Sequence, residues 1–286
     1  MDPAKALRVA AVATLVLLLA AIGVGLAFTR RPKATMGFLA HIDDLRRRIL
    51  VSVFALLVGI VIALGVAIDW VGPWPVPRFA LYDSMASQLF RAVAHDLVPA
   101  NVRLIVTSPM DGFAAQFTWS VALGALLAMP ILLWQIGGFF APALKPREAR
   151  WLRLAIVPAV LLFVAGALFA YLEVVPLAMS ALYNFSDALG AESLLDVGSF
   201  SGFVLGFLAG FGLAFQTPLV MIALSRAGLV APRTWWKGWR HAIVAIVVIA
   251  GVLTPDPTVV SQMLLAVPLL GLYFLGAGLA RSPKGS

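Results

Sequence analysis

Residues 38–50 read FLAHIDDLRRRIL, two carboxylates and three guanidinium groups set against the start of a long apolar run. Arginines at such a place are explained by the Lys/Arg bias of cytoplasmic membrane edges; carboxylates contribute little to that bias. Asp43 and Asp44 therefore stand out as acceptors for a basic ligand. The deep polar group of the chain is Gln216, within GFGLAFQTPLV and directly before Thr217–Pro218. Polar groups at membrane depth are costly to keep and so carry a functional prior. Pro218 removes a helix hydrogen bond and kinks the run, which opens a polar recess beside the amide. The plainer role for Gln216 is a bond to a neighbouring helix, worth ~0.6 kcal/mol on average.

Covalent and acid–base chemistry has no matching residues. There is no HExxH pair, and GSFSG places Phe rather than Ser at the centre of what would be a nucleophile elbow. The absence of Cys removes thiol chemistry and disulfides. His41, His95 and His241 fall at the edges of apolar runs or in connections. No catalytic residue, metal site or cofactor is expected, and the chain does not read as an enzyme.

The elements that must position these groups are membrane spans. The chain is 62% hydrophobic and 12% charged, with a mean hydropathy of +1.00, and several runs approach the ~20 residues needed to cross a bilayer. The net charge of +8 points to anionic lipid rather than nucleic acid, because the basic residues gather at run ends. Seven apolar segments are read at 6–28, 49–71, 112–140, 152–176, 199–225, 241–253 and 258–280. Lys and Arg concentrate in 29–48, 142–153, 226–240 and the tail from Arg281; 177–198 has none. That asymmetry predicts a cytosolic C-terminus, a cytosolic 29–48 segment and an N-terminus outside. The first segment could be a cleaved signal peptide, but its n-region is barely basic and Arg30, Arg31 and Lys33 follow it, so a retained helix is preferred.

Between the spans, GPWPVPRF (72–79) is expected to break regular structure. Residues 84–98 place Met85, Leu89, Ala92, Val93 and Leu97 at helical spacing, predicting an amphipathic helix at the outer interface. Segment 241–253 covers only ~20 Å against a hydrocarbon core of ~30 Å, and TPDP turns it into the last run as a short hairpin. Gly198, Gly202, Gly206 and Gly210 form a stripe suited to close helix approach, with packing inside the chain preferred over docking of a partner. Glu173, beside Pro176, is placed near the outer end of its span without a role.

These residues resemble a known family. HIDDLRRRIL (41–50) is similar to the first cytosolic motif of TatC, the multi-spanning receptor subunit of the twin-arginine protein translocase. TSPMDGF (107–113), PILLWQIGGFFAPALKPREAR (130–150), FAYLEVVPLA (169–178), FGLAFQTPLV (211–220) and LTPDPTVVSQMLLAVPLLGLY (253–273) resemble its further motifs, in order. The resemblance covers residues 36–281, and its specificity lies in the combination.

The resemblance implies an all-α polytopic membrane protein, a six-span glove-like bundle with a short final hairpin. Residues 1–35 would add an N-terminal transmembrane helix and linker, 36–281 form the family domain, and 282–286 a short cytosolic tail. It implies a receptor in the cytoplasmic membrane that binds twin-arginine signal peptides of folded cargo and organises export driven by the proton-motive force. Its partners would be small single-span subunits of TatA and TatB type, further copies of itself and the bilayer, with no nucleic acid. A small-molecule secondary transporter is the alternative, weakened because such proteins usually carry ionisable groups near the midplane.

Carried over by motif, the carboxylates that meet the two arginines are Asp44 and Glu148, beside Phe139. Arg46 and Arg48 match family arginines that orient the acids or touch headgroups. Gln216 is the partner-subunit contact, and Pro109, Asp111, Phe113 and Asp256 belong to outer-face motifs. A carboxylate accepts the paired N–H donors of arginine bidentately, a geometry lysine cannot reproduce. Several positions depart from the family pattern. Asp44 and Asp111 stand where Glu is usual, Gly137 where Trp is common, LYF replaces LYE, and TPDP moves Asp256 one place. The competing account of Asp44 is an intrahelical pair with Arg47 or Arg48, worth a few tenths of a kcal/mol.

Overall fold

The computed structural model describes residues 38–71, 74–99, 102–140, 151, 154–188, 190, 194–253 and 259–280. The first apolar segment, Glu148 and Asp256 lie outside the described residues. Helices dominate, with two small two-stranded sheets. The chain divides into two compact units, Met1–Val160 with Leu194–Leu205, and Leu161–Ser193 with Gly206–Ser286.

In the first unit, α1 (Phe38–Gly65) and α3 (Asp111–Phe140) pack antiparallel. Glycines set their crossing: a Cβ at Gly59 would lie 2.5 Å from the Gly124 carbonyl oxygen, and one at Gly124 2.5 Å from the Ile60 nitrogen. The opposite face of α1 stays apolar and open, with Phe54 69% and Val61 68% exposed, as a lipid-facing surface requires. The HIDDLRRR motif is part of α1, whose helix begins earlier than the apolar run.

That run also ends earlier than its hydropathy suggests. Val66–Val71 leaves the helix as β1 and pairs antiparallel with β2 (Trp74–Phe79), from Val66 opposite Phe79 to Val71 opposite Trp74. The Pro-rich stretch is therefore a strand. A two-stranded ribbon leaves each strand an open edge, where the missing N–H of Pro75 and Pro77 costs no ladder bond. The amphipathic helix is found as α2 (Met85–Leu97), capped by Ser84, whose hydroxyl accepts from the Ser87 N–H. Met85 packs with Ala63 and Leu123, fixing α2 to both long helices. Trp119 donates to the Ser201 hydroxyl at 3.0 Å, fully buried, and Phe90 meets Trp119 and Phe200 edge-on at 5.8 and 5.9 Å.

Charges hold the ribbon to α2. Arg78 bonds Asp69 across the ribbon at 2.7 Å, and Asp83 pairs with Arg91 and, at 3.5 Å, with Arg78. The Arg91 hydrogen bond, helped by Gln88 and Arg78 and opposed by partial burial, holds the Asp83 carboxyl below its ordinary range. A carboxylate with a depressed folded pKa adds stability above its unfolded value of about 3.9 and loses it as pH falls through the lower folded value. Amide exchange in α2, corrected for intrinsic rate, is expected to stay protected down to pH about 4 and to loosen below it. Asp83→Asn should exchange faster at neutral pH and lose that acid step; an unchanged profile would count against the network.

The second unit begins in α4 (Ile156–Phe169), which runs through a π turn (Ala170–Val174) into α5 (Val175–Ala188). The expected end near Pro176 is thus passed: the π turn bonds the Val175 N–H to the Ala170 carbonyl, a widened turn that carries the helix on to Pro176. Glu173 sits exposed on that turn, inside a continuous span rather than at its end. α6 (Val197–Ala214) breaks at Phe215–Gln216 and resumes as α7 (Thr217–Arg226), the kink the sequence predicts. A Cβ at Gly166 would lie 2.5 Å from the Phe211 carbonyl oxygen, so α4 and α6 also cross at glycine. The glycine stripe behaves otherwise. A Cβ at Gly202, Gly206 or Gly210 meets nothing within 4 Å, so the described chain does not pack closely against these three, while one at Gly198 would lie 3.0 Å from the nearby Asp196 Oδ2.

The unit is completed by α8 (Pro232–Lys237), α9 (Trp239–Leu253) and α10 (Val259–Leu279), with α10 against α7 and α9. Its core gathers Ala170, Val174, Phe211, Ala250, Leu265 and Ala266. Among the described residues, four helical stretches are long and apolar enough to cross a membrane: Ile42–Gly65, Asp111–Phe139, Ile156–Asn184 and Val197–Arg226. Trp239–Gly251 and Leu265–Leu279 are shorter apolar helices, in line with the short final pair expected.

Candidate functional site

Asp44 lies in the second turn of α1, with its side chain 20% exposed. Its Oδ2 accepts from Arg48 Nε at 2.6 Å, one helical turn later. The intrahelical pair that competes with ligand binding in the sequence is therefore present. Arg48 reaches further: its Nη1 lies 3.4 Å from both the backbone oxygen and the Oε1 of Gln135 on α3. Gly138, one turn beyond Gln135, leaves space for this guanidinium, since a Cβ there would run into Arg48 Nη1. Phe139 follows four residues after Gln135 and is half-buried, on the α3 face that carries Gln135. Asp43, Arg46 and Arg47 are exposed.

The arrangement is thus a half-buried carboxylate held at one oxygen, with an aromatic ring near the end of the neighbouring helix. Asp44, Arg48 and Phe139 come to the same end of one helix pair; Arg46 points to solvent. Gln135 and Gly138 were not singled out from sequence. Gln135 had the signal that marked Gln216, an amide in an otherwise apolar run.

Among the outer-motif residues, Asp111 acts as a clasp. Its Oδ2 accepts from the Thr107 N–H at 2.9 Å, the Thr107 hydroxyl at 2.8 Å and the Ser108 N–H at 2.6 Å. The Thr107 hydroxyl also reaches Asp196 at 3.4 Å, beside the parallel pair β3 (Arg103–Ile105) and β4 (Leu194–Asp196). Pro109 sits in the turn just before the helix. Phe113 is exposed and stacks on Phe117 with ring centroids 6.2 Å apart. Asp111 closes the loop onto the start of α3, which makes it a structural group.

Gln216 is half-buried at the kink, and its Nε2 donates to the Gly212 carbonyl oxygen at 3.3 Å. A recess of about 260 Å³ opens there, lined by Leu213, Gln216, Thr217, Val220, Trp235 and Tyr273. The Thr217 hydroxyl returns to the Ala214 carbonyl at 2.7 Å, and Tyr273 donates to the Trp235 carbonyl at 2.6 Å. Much of the recess's polarity is thereby satisfied internally, and its remaining surface is mostly apolar. It suits an apolar helix carrying one hydrogen-bonding side chain better than a charged solute. No cluster of three or more potential metal ligands occurs among the described residues.

Comparison with known proteins agrees on one family. The family model described as Sec-independent protein translocase protein (TatC) matches residues 40–268. A Sec-independent protein translocase protein TatC of Cenarchaeum symbiosum is 36% identical over 249 residues, covering 84% of this chain and 93% of the relative. The one from Deinococcus radiodurans is 34% identical, covering 84% of each. A crystal structure of the twin-arginine translocase receptor TatC, in DDM, superposes with a TM-score of 0.66 at 32% identity, over 84% of this chain and 99% of the other.

Proposed function

Because the chain belongs to the TatC family of Sec-independent protein translocase proteins, we propose that it recognises twin-arginine signal peptides through Asp44 and Glu148. It is a multi-pass membrane protein and the core receptor of a twin-arginine export pathway, not an enzyme. In this reading Asp44 and Glu148 take one arginine each on the cytosolic side, and Phe139 lines the path of the signal's apolar segment. Half-exposed pairs contribute modestly, so specificity comes from two of them acting with an apolar groove.

The observation that supports this most directly is the setting of Asp44. A carboxylate 20% exposed, held at one oxygen by an arginine and lying at the end of the helix pair that carries Phe139, is placed for an incoming guanidinium to compete for it. Arg46, exposed, is assigned to headgroups. The wider arrangement is six family-type spans in the cytoplasmic membrane with the C-terminus cytosolic. An added helix at 6–28 would place the N-terminus outside. TatA- and TatB-type single-span subunits are its partners, one of them packing near Gln216, whose recess supplies an apolar surface with an amide. Self-association and transport driven by the proton-motive force belong to the same reading.

The test is photocrosslinking of the protein, in its own membrane or in nanodiscs, to a twin-arginine signal peptide and to the same peptide with two lysines. The expected result is a strong adduct with the first and little with the second. Absence of any adduct with the first peptide would remove the receptor reading.

A further inference from the structure

Arg48 stands between two acceptors. On its own helix it is bonded to Asp44 Oδ2 at 2.6 Å through Nε alone. Across the helix pair, its Nη1 is 3.4 Å from each of two Gln135 oxygens, longer than a formed hydrogen bond of about 2.9 Å. Gly138 provides room on that side. The Arg48 and Asp44 side chains are 23% and 20% exposed, so the pair is partly shielded from solvent. A guanidinium that engages a carboxylate bidentately uses both oxygens, and one of Asp44's is already taken.

We infer that Arg48 is a resident arginine that occupies Asp44 in the empty receptor, and that it sets arginine selectivity because an incoming cation must displace it toward Gln135. The inference rests on the reading of Asp44 as a signal-peptide carboxylate. Displacement does not strand a cation, because Nη1 already lies 3.4 Å from each of two Gln135 oxygens, which can take up the guanidinium as Nε leaves Asp44. The exchange favours an incoming arginine, whose fork makes two parallel bonds where Arg48 makes one. It disfavours lysine, a strongly hydrated point charge that adds no second in-plane bond. A carboxylate without a resident would accept either cation more readily and discriminate less.

Two substitutions with opposite expected effects test this in the full chain, reconstituted in nanodiscs and titrated with fluorescent twin-arginine and twin-lysine signal peptides. Arg48→Gln should strengthen twin-lysine binding roughly fivefold and twin-arginine binding less, so that the ratio falls. Gln135→Leu, which removes one acceptor to which Arg48 retreats, should weaken twin-arginine binding and leave twin-lysine binding poor. If Arg48 were only a strut between the two helices, both substitutions would weaken both peptides, and that result overturns the inference. An unchanged ratio in Arg48→Gln overturns it as well. Should Arg48→Gln fail to fold, Gln135→Leu decides alone, and unchanged twin-arginine affinity there is fatal. Asp44→Asn separates the levels. If it leaves twin-arginine binding intact, the Asp44 assignment fails and the inference with it. If it weakens binding while Arg48→Gln keeps the ratio, only the resident-arginine inference fails.

Discussion

Replacing Asp44 and Glu148 together by Ala is expected to abolish crosslinking to a twin-arginine signal peptide while the protein stays folded in the membrane. Each arginine–carboxylate pair in a half-open site is worth about 1 to 1.5 kcal/mol. Loss of two therefore lowers affinity by roughly 30- to 150-fold, enough to remove an adduct formed near the dissociation constant. Each single substitution should cost roughly five- to twelvefold, because the remaining carboxylate still holds one arginine. Asp44→Glu, which restores the residue usual in the family, should bind at least as well as the unmodified chain. Asp44→Asn keeps the shape and one acceptor oxygen but loses the charge, so it should fall between Asp and Ala. Binding that survives the double substitution unchanged would show that the arginines are read elsewhere, and Gln135 with Phe139 would then be the next surface to map.

The sequence conveyed most where one side chain's chemistry acts locally. An acid and an arginine four residues apart on a helix meet regardless of the rest of the fold, so the Asp44–Arg48 pair was legible. Pro218 deletes a donor wherever it stands, so the break beside Gln216 was legible too. The helical spacing of Met85, Leu89, Ala92, Val93 and Leu97 announced α2, though not its Ser84 cap. Where two descriptions share one hydropathy, the sequence was silent. VAIDWV reads as the end of a span, yet Val66, Ile68 and Val71 suit a strand equally well, and only pairing with Trp74–Phe79 decides. The apolar segment read at 152–176 ended at Pro176; the π turn that carries the helix up to and beyond it depends on the surrounding packing. Gln135 offered the signal of an amide in an apolar run, but its partner was hidden for a different reason. Its value comes from Arg48, eighty-seven residues away in the chain, and no spacing within either helix encodes that meeting.

Glycine shows the same limit, and a substitution there carries the second large effect. Gly124→Val is expected to destabilise the first unit strongly, lowering the thermal midpoint seen by intrinsic tryptophan fluorescence in detergent. At the crossing of α1 and α3, a Cβ on Gly124 lies 2.5 Å from the Ile60 nitrogen and 2.8 Å from the Gly59 carbonyl carbon. Those are backbone atoms, so no rotamer change relieves the contact and the helices must separate. Overpacking of this kind costs about 1–3 kcal/mol or more. The separation also reaches the site, because Arg48 meets Gln135 along the same pair of helices; twin-arginine peptide binding should weaken alongside stability. Gly206→Ala and Gly210→Ala form the contrast. Those positions carry the more conspicuous spacing, but an added Cβ meets nothing within 4 Å. Alanine also favours the helix by about 0.5–1 kcal/mol over glycine, so the midpoint should hold or rise. A fall at Gly206 or Gly210 matching that at Gly124 would mean that the stripe, and not the Gly59–Gly124 contact, is where this chain needs its helices close.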